Sequence, residues 1–176
     1  MSSIQSFNAV SHPDARILIL GSVPGVASLV QQQYYAHPRN AFWPIMAQLL
    51  GFATDLPYRL RLQQLQKNQI ALWDVVHRCQ RPGSLDQNIA RESVEANDFA
   101  TFFVQHPQLR GVCFNGGAAE TLFKRHVIRA GLELPAGLSL VRLPSTSPAN
   151  AGLRLEQKLE QWRRAISAPC STSGAR

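Results

Sequence analysis

Ile17-Leu18-Ile19-Leu20-Gly21-Ser22-Val23-Pro24-Gly25 is an apolar run of four residues cut short by two glycines and a proline. It is too short for a helix and rich in isoleucine, so it reads as a strand buried on both faces that ends in a tight loop. Three further runs read the same way: 70–76, 111–114, and 138–143, which Pro144 ends. Helical spacing fills the intervals. It covers 42–50 (stopped by Gly51), 56–66, a stretch over 85–97 and 99–105 broken by polar residues, 118–130 (stopped by Gly131) and 152–166. Strands alternating with helices predict an α/β fold. The expected form is a three-layer α/β/α arrangement around a central four-stranded, mainly parallel sheet.

In such a sheet the loops that follow the strand C-termini carry the ligand. Four qualify: 21–40, 74–86, 115–117 and 144–150. They also collect the glycines, prolines and small polar residues. A chain of 176 residues with 45% hydrophobic content fits one domain over residues 1–168, with a small polar tail, 169–176, expected to fray. No apolar run approaches the roughly 18 residues of a membrane span. The N-terminus lacks the basic and apolar regions of a signal peptide. A cytoplasmic, membrane-free and monomeric protein is therefore expected.

The formal charge is +7, and fifteen of the eighteen basic residues are arginine. Arginine's planar fork suits phosphate, and a basic domain suits a polyanion, nucleic acid first among them. The three cysteines, Cys79, Cys113 and Cys170, are widely spaced and form no CxxC pair, so neither a zinc site nor an iron–sulfur cluster is expected. No Ser-His-Asp order or metal spacing stands out. None of the lysines, Lys67, Lys124 and Lys158, falls in a candidate loop, which disfavours a Schiff-base nucleophile.

The longest candidate loop contains Tyr34-Tyr35-Ala36-His37-Pro38-Arg39-Asn40-Ala41-Phe42-Trp43. A tyrosine offers a flat face on which a base can stack. Asn40 carries both a donor and an acceptor and can orient a water. It also stands where a helix N-cap would stand, and the two roles are compatible. His37 is expected to make a structural hydrogen bond. Asp74 closes a strand, where a carboxylate is placed to function. Asp86, following Ser84, reads as a helix cap.

These motifs together resemble the uracil-DNA glycosylase superfamily. The Pro-Gly loop followed by aromatic-Ala-His-Pro-x-Asn-x-Phe-Trp is similar to mismatch-specific uracil-DNA glycosylases. The doubled tyrosine and Ser22 look more like the hypoxanthine-DNA (deoxyinosine) glycosylase branch. Leu72-Trp73-Asp74-Val75-Val76, Cys79, Arg81-Pro82-Gly83-Ser84-Leu85-Asp86, Phe114-Asn115-Gly116-Gly117 and Leu143-Pro144-Ser145-Thr146-Ser147-Pro148-Ala149-Asn150 extend the match in order.

The resemblance implies a monofunctional enzyme that needs no cofactor and no metal. It would flip a deaminated base, hypoxanthine first and then uracil or xanthine, out of double- or single-stranded DNA and hydrolyse its N-glycosidic bond. Asn40 would position the water, with Ser22 standing where the mismatch-specific enzymes carry the loop asparagine. Gly21, Tyr34, Tyr35 and Asn115 would hold the base. Ser145, Thr146, Ser147, Pro148 and Asn150 would contact DNA. The loss of that loop asparagine keeps a rival open, a damaged-DNA-binding protein of the same fold without catalysis.

Overall fold

The computed structural model describes residues 3–167, so the tail expected over 169–176, with Cys170, lies outside the described residues. Four strands build the main sheet: β2 (Ile17–Gly21), β3 (Ile70–Asp74), β6 (Gly111–Asn115) and β7 (Ser139–Leu143). They run in the order β3-β2-β6-β7, and every pairing is parallel. Alternation along each strand feeds the two faces. Leu18, Leu20, Ala71, Val112 and Phe114 pack against Phe99, Phe102 and Phe103 of α4 (Phe99–Gln105) and Phe123 of α5 (Gly117–Phe123). Ile17, Ile19, Ile70, Leu72 and Cys113 pack on the opposite face. There they meet α2 (Phe42–Leu50), α3 (Tyr58–Lys67) and Trp162 of α6 (Leu155–Ser167). The expected three layers and four-stranded parallel sheet are present.

Four features were not read from the sequence. The run over 70–76 divides at Val75. Its second part enters β4 (Val76–Gln80), which pairs antiparallel with β1 (Ser3–Gln5) and β5 (Glu95–Ala96) in a small second sheet. The stretch expected to be broken helix over 85–97 forms two 3₁₀ turns, Asp86–Asn88 and Arg91–Ser93, and then β5. The loop after β2 contains a short helix, α1 (Val26–Gln31), ended by Gln32 in the left-handed conformation. The helix expected over 118–130 starts one residue earlier and widens into a π turn at Lys124–Ile128.

Among the described residues no helix is long and apolar enough to cross a membrane. Cys79 and Cys113 are free and buried, and burial pushes the Cys113 thiol up to about 12.

Candidate active site

The topology fixes the site before any side chain is considered. From the inner strand β2, the chain first adds β3 on one side and later β6 on the other. The order reverses between β2 and β6, and a crevice opens at the C-terminal ends of those strands. A pocket of about 160 Å³ lies there, lined by residues from all four candidate loops. Cavities of roughly 150 Å³ accept benzene, so this one has room for a flat ring.

The pocket floor is built around Gly21. A Cβ on Gly21 would stand 2.5 Å from Asp74 Oδ1 and 2.9 Å from the Tyr35 hydroxyl, so only glycine leaves both groups in place. Tyr35 has φ 54°, a left-handed conformation that costs a bulky residue on the order of 1–3 kcal/mol. The twist lays its ring on Phe42 with centroids 4.2 Å apart and an interplanar angle of 28°. Its hydroxyl is buried beside Asn115 without a well-formed hydrogen bond. Burial and the nearby Asp74 carboxylate both push its ionisation well above the usual tyrosine range.

Asp74 is 3% exposed, and its Oδ2 has no hydrogen-bond partner among the described residues. Desolvation raises its pKa from 3.8 to about 7, assisted by the Asp86 carboxylate and opposed by Arg81. Asp86 is the better-placed acid. It accepts a 2.7 Å hydrogen bond from Ser22 Oγ and sits 3.9 Å from the Arg81 guanidinium. Although its side chain is 39% exposed, partial desolvation by the surrounding loops raises its pKa against the opposing effects of Ser22 and Arg81. Arg81 is itself buried. It donates to Gly83 O at 2.9 Å and Pro24 O at 2.6 Å, tying the loop after β4 to the loop after β2. Ser84 Oγ adds to this tie by accepting from Val26 N at 2.9 Å.

The rim is cross-linked by Asn115 and Thr146. Asn115 Nδ2 donates to Thr146 Oγ1, and Asn115 Oδ1 accepts from Thr146 N, both at 2.9 Å. Ala41 N donates to Thr146 O at 3.0 Å, which carries the link to the start of α2. Asn150 Nδ2 donates to Ser145 O, and Lys158 Nζ donates to Asn150 O. Gly116, at φ 94°, keeps this contact close, because a Cβ there would lie 2.8 Å from Ser145 Cβ.

Asn40 lines the pocket from the same side. Its Oδ1 accepts from Phe42 N at 2.9 Å, so the capping bond expected of it exists, one residue ahead of the formal N-cap Ala41. One lone pair and both amide hydrogens remain for another partner.

The structure thus gathers Gly21, Ser22, Tyr35, Asn40, Asn115, Ser145, Thr146, Ser147 and Pro148 around one pocket. Two expected base-contacting or DNA-contacting residues have other tasks. Tyr34 touches the pocket, but it is a core residue. Its hydroxyl donates to Asn8 O, its amide donates to Tyr58 Oη, and its carbonyl accepts from Trp43 Nε1. Asn150 spends its side chain bracing Ser145 and borders the adjacent groove. His37 accepts from Arg39 N at 3.1 Å, the structural bond expected of it. Asp86 caps no helix and turns into the pocket instead.

The sequence matches the uracil DNA glycosylase superfamily over residues 7–166. The chain belongs to that superfamily. Its enzyme class is therefore DNA glycosylase, a hydrolase of N-glycosyl bonds. Among its relatives is a hypoxanthine DNA glycosylase of Methanosarcina acetivorans. That protein is 39% identical over 150 residues, covering 83% of this chain and 87% of the relative. Another hypoxanthine DNA glycosylase, from Methanosarcina barkeri, is 40% identical over 113 residues, 64% of this chain and 70% of that protein. A solution NMR structure of a candidate uracil DNA glycosylase from Methanosarcina acetivorans superposes with a TM-score of 0.78 at 33% identity. It covers 96% of this glycosylase and 99% of that chain.

Proposed function

We propose that this glycosylase extracts a deaminated base, hypoxanthine first among them, from DNA and hydrolyses its N-glycosidic bond with a water held by Asn40. One observation carries the reading. Four loops far apart in sequence converge on a single base-sized pocket at the sheet's switch point, and both Tyr35, whose ring stacks on Phe42, and Asn40 line it. Extruding a base costs a few kcal/mol. Stacking on Tyr35 returns roughly 1–3 kcal/mol. Phosphate contacts supply more: exposed Arg142 lines the neighbouring groove, and exposed Arg39 lies in the chain between the pocket residues His37 and Asn40.

As the bond to C1′ breaks, the sugar becomes cationic and the base anionic. Donors around Gly21 and Ser22 stabilise the departing base. Asn40 has no useful basicity, so it orients the water and removes no proton. Ser22 acts from behind: its hydroxyl is bonded to Asp86, which fixes the loop that contains Gly21. The Ser145–Pro148 segment, held by Asn115, lies against the DNA strand that carries the lesion.

The reading is tested by timing base release from matched duplexes containing one deoxyinosine, deoxyuridine or deoxyxanthosine, with an undamaged control and EDTA present. Release is expected from deoxyinosine at the highest rate and from the control not at all. Tight lesion binding with no release from any duplex would favour the non-catalytic rival.

A further inference from the structure

Asp74 has features that no structural role accounts for. Its main-chain oxygen is used, accepting from Asn97 Nδ2 at 2.8 Å. Its carboxyl group is not: it lines the base pocket, it is 3% exposed, and Oδ2 is unpartnered. A buried carboxylate without a partner is costly, whereas a neutral carboxylic acid in the same place is tolerable. The Tyr35 hydroxyl, likewise buried without a well-formed hydrogen bond, stands on the same side of Gly21, 2.9 Å from where a Gly21 Cβ would be against 2.5 Å for Asp74 Oδ1, and both residues line the pocket that a base would fill. Native structures leave few such groups unsatisfied, and a ligand is one way to satisfy them.

A neutral carboxyl offers one O–H donor and one acceptor. Deaminated bases share one complementary edge, a lactam N–H beside a C=O, in hypoxanthine as in uracil and xanthine. We propose that Asp74, in its protonated form, pairs with this lactam edge, accepting the ring N–H and donating to the neighbouring carbonyl oxygen. This inference rests on the glycosylase reading. The donated hydrogen bond also contributes to rate, because negative charge on the departing base spreads onto that oxygen and strengthens the bond as C1′ is released. No proton need be transferred. Carboxylic acids held neutral by apolar surroundings serve as such donors elsewhere.

The pairing requires the proton, so activity must fall as Asp74 ionises. The groups facing Asp74 are the Asp86 carboxylate, which raises its pKa, and Arg81, which lowers it. Tyr34, Tyr35 and Tyr58 are also near, but all three are held neutral by burial. His37 lines the pocket's outer part and is tied to Arg39 N.

The test measures single-turnover release from a deoxyinosine duplex at saturating enzyme between pH 5.5 and 9. It compares the wild type with Asp74→Asn, Asp74→Leu and Asp86→Asn. The wild-type rate should be flat at low pH and fall about tenfold per pH unit above a midpoint near or above 7. Asp74→Asn keeps a donor and an acceptor but cannot ionise. Its rate should stay flat and exceed the wild type's at pH 9. Asp74→Leu should be flat with pH and at least tenfold below the wild type's low-pH plateau, while binding to undamaged duplex, read by anisotropy, stays within twofold. Asp86→Asn should keep the pH-dependent fall.

An Asp74→Asn profile that falls like the wild type's overturns the inference while leaving the glycosylase reading standing. So does an Asp74→Leu protein that works normally. Absence of wild-type release at any pH overturns both.

Discussion

The rim and the floor of the pocket are made of similar polar residues used in opposite ways. On the rim, Asn115 spends both ends of its amide on Thr146, and Asn150 and Lys158 close the loop behind it. On the floor, Tyr35 Oη and Asp74 Oδ2 are buried and left open, and the Tyr35 backbone is strained. A satisfied network rigidifies, whereas an unsatisfied buried group costs stability until something binds. The difference separates the residues that hold loops in place from those that meet the substrate, which composition alone does not do.

Substitutions on the two sides should therefore fail differently. The largest effect is expected at Asn40. Asn40→Ala should slow base release by about 100-fold or more while lesion binding changes far less, as losing one well-placed polar group does. The lost bond to Phe42 N should cost only ~1 kcal/mol of stability. Single-turnover rates and a melt on the same sample check both numbers. A stable, fully active variant would move Asn40 to the structural side of the comparison.

Tyr35 comes next. Tyr35→Ala removes the stacking face and should weaken lesion engagement by roughly 1–3 kcal/mol, or about 5- to 150-fold. Tyr35→Phe keeps the ring and should cost little unless the hydroxyl touches the base. If Tyr35 only fills space beside Phe42, Tyr35→Ala should instead melt early and lose activity on every lesion in proportion to its unfolded fraction.

Asp74 sharpens the comparison through stability. Its folded carboxyl, near 7, holds a proton more tightly than the unfolded one at 3.8. Its contribution is thus fully present below pH 3.8, declines as pH rises, and has been lost once pH passes 7. Integrated, that is up to roughly 4 kcal/mol. Asp74→Asn should accordingly unfold at higher denaturant than the wild type at pH 8, with the gap closing toward pH 4. A gap of the opposite sign at pH 8 would mean that the carboxylate is paired after all.

The smallest effect on chemistry is expected from the rim. Asn115→Ala leaves the Thr146 amide without its acceptor and should cost about 1–3 kcal/mol of stability. The rate of base release by the folded fraction should drop less than for Asn40→Ala. A larger rate loss than at Asn40, with no change in melting, would reverse the assignment.

The layers were legible because strands buried on both faces read as unbroken apolar runs, Ile17–Gly21 above all. The second sheet was not: β1 and β5 are too short to show alternation, and β4 follows β3 with only Val75 between them. The four site loops could be read because a parallel sheet delivers them to one edge. That Tyr34, expected beside Tyr35 at the base, is held in the core could not, since the left-handed turn at Tyr35 sends the two side chains into different surroundings. Asp86 looked like a helix cap because an aspartate after Ser84 has that local pattern. Its actual partner, Ser22, is 64 residues away.

The central claim concerns what leaves the DNA. A duplex with one deoxyinosine, incubated with the purified chain in EDTA, should yield free hypoxanthine by chromatography. The DNA strand should remain intact until alkali cleaves it at the abasic site. Recovery of all the hypoxanthine still attached to DNA that the protein binds tightly would contradict the account.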